Sequence, residues 1–126
     1  MEQKDYILRE IEKMGVVLRA ILSKFFGGNT INAVPEEKQI GEIKRELLEE
    51  MDFDIAGFIQ MNDAQTIQYL KDRQDFNIPN LEELAMLLER LGEPKKALLV
   101  LLYCRNTDRT YSIERENRIR SIRGKI

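Results

Sequence analysis

Residues 84–104, LAMLLERLGEPKKALLVLLYC, decide how the rest of the chain is read. Two apolar patterns at helical spacing meet at Gly92-Glu93-Pro94. Leu81, Leu84, Ala85 and Leu88 fall on one stripe of the first pattern, and Ala97, Leu101 and Cys104 on one stripe of the second. Ala85 and Ala97 are small enough to let two helix backbones come close. Gly92 supplies the turn between them, and Pro94 suits the first turn of the second helix. Asn80, followed three residues later by Glu83, has the form of a capping box. The expectation is an antiparallel helical hairpin over residues 80–105.

The chain on either side is read the same way. Ile7, Ile11, Met14, Leu18, Ile21 and Phe25 step by fours and threes, with Leu8 and Leu22 widening the stripe. This predicts a long amphipathic helix over residues 5–26, closed by Gly27-Gly28-Asn29 at positions that tolerate positive φ. Its seam is covered by the rest of the chain or by a second copy, so a homodimer through this helix is one expectation. A loop over 29–35 leads to Pro35 and a second helix with Ile40, Ile43, Leu47, Leu48 and Met51 inward. A short helix from about Asp54 carries Phe53, Ile55, Phe58 and Ile59, and another, capped by Asn62 or Asp63, turns Ile67 and Leu70 inward. A last, basic helix over about 110–122 has Ile119, Ile122 and Ile113 as its apolar face. No segment alternates like a strand. The fold class is all-α, a bundle of six or seven helices in stacked antiparallel hairpins, forming a single domain over residues 1–126.

Composition narrows the chemistry. There is no histidine, and Cys104 is the one cysteine, which removes histidine-based catalysis, the usual zinc ligand sets and an internal disulfide. No apolar run approaches the roughly 18 residues of a membrane span. The opening MEQKDYILREIEKM mixes both charges and does not read as a signal peptide, so the expectation is a soluble cytoplasmic protein with no membrane contact. The net charge of −2 hides an asymmetry. Residues 1–102 carry 13 Lys/Arg against 19 Asp/Glu, and residues 103–126 carry seven against three. An acidic body thus bears a basic end, which can attract an acidic partner or pair with the body itself.

The hairpin resembles one tetratricopeptide repeat, a helix–turn–helix unit of about 34 residues with this order of small and large positions. The likeness covers about 27 residues, and Leu81, Leu88 and Leu101 stand where that family favours Trp, Tyr and Phe. Shifted by one repeat, the pattern meets Asp63 upstream and Arg115 downstream at inner positions, so one good unit has two degenerate neighbours. DYILREIEKMGVVLRAIL, FDIAGFIQMNDAQTIQYLK and the hairpin are together similar to an uncharacterised bacterial all-helical family, a domain of unknown function. That resemblance implies architecture and no mechanism. The repeat-like hairpin implies protein binding by the outer side of its first helix, at Glu82, Met86, Glu89 and Arg90.

Other constellations carry weaker signals for chemistry. Asp52, Asp54, Gly57, Ile59 and Asp63 resemble a calcium loop, but Ala56 holds the fifth position and Asp63 replaces the bidentate Glu of the twelfth. Glu46, Glu49, Glu50, Asp52 and Asp54 could pair carboxylates, yet nothing near them in sequence supplies a nucleophile or an oxyanion donor. Cys104 lies on an inner stripe, where a thiol behaves as a small hydrophobe. Arg105, Arg109, Arg115, Arg118, Arg120, Arg123 and Lys125 form the basic end, with Tyr111 able to stack on a base. The reading is a non-catalytic protein–protein interaction or scaffold module with an unidentified protein or peptide partner, no cofactor, no metal and no catalytic residues. The alternative is nucleic-acid or acidic-partner binding through Arg115, Arg118, Arg120 and Arg123.

Overall fold

A computed structural model describes residues 2–27 and 36–126, with side chains from Lys4 onward. Among the described residues there are seven helices and no strand, and the fold is an all-α bundle. The helices are α1 (Glu2–Phe26), α2 (Glu37–Met51), α3 (Ile55–Gln60), α4 (Asp63–Asp72), α5 (Ile78–Arg90), α6 (Pro94–Thr107) and α7 (Ile113–Lys125). The expected loop over 29–35, Gly28 and Pro35 lie outside the described residues.

The α5–α6 hairpin is the densest pairing in the molecule, with α1 against α5 and α7 against α6. Leu81, Leu84, Ala85 and Leu88 are buried on α5, as are Ala97, Leu101 and Cys104 on α6. Gly92 makes the turn at φ 81°, and the Glu93 amide donates to the Leu88 carbonyl across it. Leu87 is buried too, because α5 is covered by α1 as well as by α6. Met14, Leu18 and Ile21 of α1 are fully buried, with Ile43, Leu47 and Met51 of α2 in the same core. The Met14–Ile21 part of the seam considered for self-association packs into the chain's own core, with α2 and α5 beside it.

Several sequence expectations are corrected. The cap of α5 is Asn77, whose side chain accepts from the Asn80 amide at 3.0 Å, and the helix begins before the proposed capping box. Asn80 is itself buried, and its Nδ2 donates to the carbonyls of Ile11 and Asp75, both at 2.8 Å. Gly15 allows this approach, since a Cβ there would stand 2.9 Å from the Asn80 Oδ1. Gly27 closes α1 for a different reason than positive φ: a Cβ there would collide with the Ser23 carbonyl oxygen. Leu48 is 51% exposed, being one residue off the Ile43–Leu47–Met51 row. Ile113 is 63% exposed because α7 turns Arg115, Ile119 and Ile122 inward and leaves its first residue on another side. Leu8 is also exposed, at the end of α1 beyond the buried Met14–Ile21 stripe.

Two cations tie elements together: Arg73 links the end of α2 to the turn after α4, and the buried Lys96 links α6 to the α3–α4 region. Arg73, just past α4, forks onto Asp75 at 3.0 and 2.7 Å and also donates to the carbonyls of Met51 and Asp52. Those carbonyls belong to the end of α2, where orphan acceptors need partners. The same guanidinium donates to the Tyr69 hydroxyl and lies between 5.5 and 5.7 Å from the ring centres of Phe53, Tyr69 and Phe76. Lys96 Nζ on α6 donates to the Met61 carbonyl at 2.7 Å and to Thr66 Oγ1 at 2.8 Å, over the Phe58 ring.

Candidate interaction surface at the α6–α7 corner

Ser112 caps α7 by accepting from the Arg115 amide, and this places one face of the basic helix on the hairpin. Arg115, 3% exposed, donates from Nη1 to Glu82 at 3.2 Å and to Asp108 at 3.1 Å, and from Nη2 to the Thr110 carbonyl. Burial works against its charge, but the Asp108 bond and the charge of Glu82 outweigh it and hold the guanidinium protonated. Asp108 is held below the usual carboxylate range by the Thr110 amide first and by Arg115 second. Arg118 donates to the Glu82 carbonyl at 3.3 Å, and Lys125 pairs with Glu89 at 3.1 Å. Arg115 Nε and Arg118 Nη2 are buried and meet no acceptor among the described residues.

The two groups of residues singled out in the sequence are therefore brought together, and in part spent on each other. Glu82 and Glu89, expected to face a partner, are held by α7. Arg115 and Arg118, expected to face phosphate or an acidic partner, are turned onto α5. Met86 stays 38% exposed, and Arg90 is half-buried. The described clefts lie elsewhere.

What remains outward is concentrated at one corner. Arg109, Arg120 and Arg123 are exposed, and none is in an ion pair among the described residues. Arg105 of α6 meets Glu116 of α7 at 3.5 Å, a long pairing that leaves Arg105 39% accessible. Tyr111, 73% exposed, stands in the connection between the two helices. Two clefts share Arg105, Tyr111 and Glu116. One, about 160 Å³, is completed by Ile119, Arg120 and Arg123. The other, about 230 Å³, is completed by Asp108, Arg109, Thr110, Ser112 and Arg115. Arginine forks match carboxylate and phosphate oxygens, and a tyrosine among them adds a flat apolar face.

The thiol, the buried lysine and the carboxylates around α3 have structural surroundings. Burial pushes the Cys104 thiol up to about 12, with the Glu82 charge adding to it, so the thiolate is scarce. Burial lowers the Lys96 ammonium, which donates to Met61 and Thr66. Asp52 is the left-handed C-cap of α2 and Asp54 the N-cap of α3, accepting from the Gly57 amide. Among the described residues no three of His, Cys, Asp and Glu converge to hold a metal ion. A third cleft, about 350 Å³, runs between Tyr6, Glu10, Asp52, Asp72 and the Arg73–Asp75 pair. No described helix is long and apolar enough to cross a membrane.

Sequence reasoning saw the arginines and Tyr111 but could not sort them. The sorting depends on which side of α7 faces α5, and the one signal for it was the Ile119–Ile122 pair with Arg115 on the same face. Comparison with protein-family models, with curated proteins and with solved structures finds no match for this chain.

Proposed function

We propose that this chain is a non-catalytic protein-interaction module of the cytoplasm, and that its contact surface is the α6–α7 corner. One observation carries the reading. Arg105, Arg109, Arg120 and Arg123 surround the exposed Tyr111 while the other cations of the basic end are turned onto the acidic hairpin. A corner with four guanidinium groups, of which only Arg105 meets a carboxylate, selects for a partner of opposite sign and orients it on approach. Support against an enzyme comes from the same inventory: the thiol is buried and protonated, the buried lysine is bonded to Met61 and Thr66, and the carboxylates flanking α3 cap helices.

The exposed Tyr111 favours a second reading, single-stranded nucleic acid stacked on the ring with arginines on its phosphates. One experiment separates the two. Tagged wild type and an Arg120→Ala/Arg123→Ala variant are incubated with cell lysate at low salt, each with and without nuclease. Retention of a defined protein by wild type after nuclease, lost by the variant, is the expected result. Nucleic acid retained by wild type and lost by the variant would put the second reading first. Equal capture by both chains would remove the corner from either.

A further inference from the structure

The smaller cleft of the corner has a charge that can be matched to a ligand. Arg105, Arg120 and Arg123 line it with Tyr111, the one carboxylate is Glu116, and Ile119 closes its inner side. Three guanidinium groups against one carboxylate leave two positive charges at one small site. From these residues we infer that the cleft receives a phosphate monoester borne on a side chain of the partner protein, a deeper reading that rests on the corner being the contact surface.

Three features argue for this chemistry over its neighbours. A phosphate monoester carries about −1.5 to −2 charge near neutral pH, which matches the two unpaired positive charges, whereas one carboxylate leaves a cation unmatched. Its three terminal oxygens can each take a forked donor, and arginine gives such forks where lysine gives a point charge. The patch is also short. On one side it ends at Asp108, which is committed to Arg115, and on another at Lys125, which is committed to Glu89. A nucleic-acid strand needs a cationic track for successive phosphates, and beyond these arginines only Arg109 continues it, because Arg115, Arg118 and Lys125 are turned onto the hairpin. The volume of about 160 Å³ suits one group seated among the arginines, with Tyr111 beside it to cover the attached side chain.

The test uses the full chain and four probes: O-phosphoserine, glutamate, inorganic phosphate and oligothymidylate. Binding is followed by nitrogen–proton NMR of the arginine Nε–H groups and by calorimetry. Phosphoserine is expected to shift the Arg105, Arg120 and Arg123 signals, and to bind at least about tenfold more tightly than glutamate, the difference expected for one further charge-assisted contact. Arg120→Ala/Arg123→Ala should weaken phosphoserine by roughly tenfold or more. Arg123→Lys, which keeps the charge but loses the fork, should fall between the two. Both positions are exposed, and an unchanged melting temperature checks that the variants fold.

Glutamate binding as well as phosphoserine would overturn the inference, as would the absence of any shift at the three arginines. Inorganic phosphate binding while phosphoserine does not would assign the cleft to a free anion. Oligothymidylate binding that tightens with length and exceeds phosphoserine would assign it to nucleic acid. If the arginine variant loses protein capture in lysate while phosphoserine is ignored, this inference fails and the reading of the corner as a contact surface stands.

Discussion

Replacing Arg73 by alanine tests whether one guanidinium pins the end of α2 to the segment that follows α4. The side chain makes two bonds to Asp75, one each to the Met51 and Asp52 carbonyls, and one to the Tyr69 hydroxyl. Asp75 is only 8% exposed, so alanine at 73 leaves a buried carboxylate without its counter-ion. Breaking one side of such a pair costs about 3–5 kcal/mol, and the stranded carbonyls at the end of α2 lie within the same loss. Set against a typical total stability of roughly 5–15 kcal/mol, this is a large fraction. For a chain of this length it corresponds to a fall in melting temperature of roughly 10–20 °C. The measurement is urea unfolding followed by circular dichroism, with an Arg73→Met/Asp75→Leu variant beside the single change. The double variant removes both charges and should recover most of the loss, because well-packed apolar groups can replace a buried ion pair at little cost. A single variant destabilised by less than about 1 kcal/mol, the level of an exposed pair, would refute the reasoning. So would a double variant no better than the single.

Two further outcomes follow from the buried titratable groups. Lys96 has a folded pKa below its ordinary 10.5, so between the two values the unfolded chain binds the proton more tightly and stability rises with pH. The advantage of wild type over Lys96→Met should therefore grow from pH 7 to pH 10, and a shrinking advantage in paired unfolding curves would contradict it. Cys104, pushed up to about 12 from an ordinary 9.0, carries about a thousandfold less thiolate than a free thiol at pH 8. Alkylation of the native protein should lag that of the urea-unfolded chain by at least that factor, and a native rate within tenfold of the unfolded one would show the thiol to be accessible.

The parts of the fold that were legible in the sequence are those where apolar spacing alone decides the outcome. The 3–4 stripe of α1 and the two stripes meeting at Gly92 are of this kind, since burial is cheap to predict when every inward residue is apolar. What escaped was the placement of polar groups that bury themselves by finding partners far away in sequence. Asn80 looked like a helix cap and is instead a link to Ile11, 69 residues away, made possible by the missing Cβ of Gly15. Lys96 follows Lys95 in a charged turn, and nothing local shows that it reaches Met61 at the end of α3 and Thr66 on α4. Arg73 sits in KDRQDF among charges that read as solvent-facing, yet three aromatic rings surround it. A cation buried by tertiary contacts leaves no period in the sequence, so it is seen only once the elements are placed.

The same distinction explains why the surface proposed for partner binding moved from α5 to the corner. Read as a stripe, the seven cations of residues 103–126 are equivalent, and the acids Glu82 and Glu89 are simply exposed positions on a repeat-like helix. Once α7 is laid against the hairpin, the two sets sort each other by geometry. Residues on the side of α7 that holds Ile119 and Ile122 must lie over α5 and α6, and the cations there meet Glu82, Glu89 and Asp108. Burial of Arg115 is tolerable because carboxylates on two sides offset its desolvation. Arg120 and Arg123 lie on the remaining side, where the hairpin offers no acid, and Arg105 and Tyr111 are brought beside them by the short connection from α6. A basic tail designed only to neutralise an acidic body would not leave guanidinium groups gathered around one exposed ring. Their convergence on a single cleft, with Arg115, Arg118 and Lys125 already engaged on the hairpin, is what makes that corner the place to look for a partner.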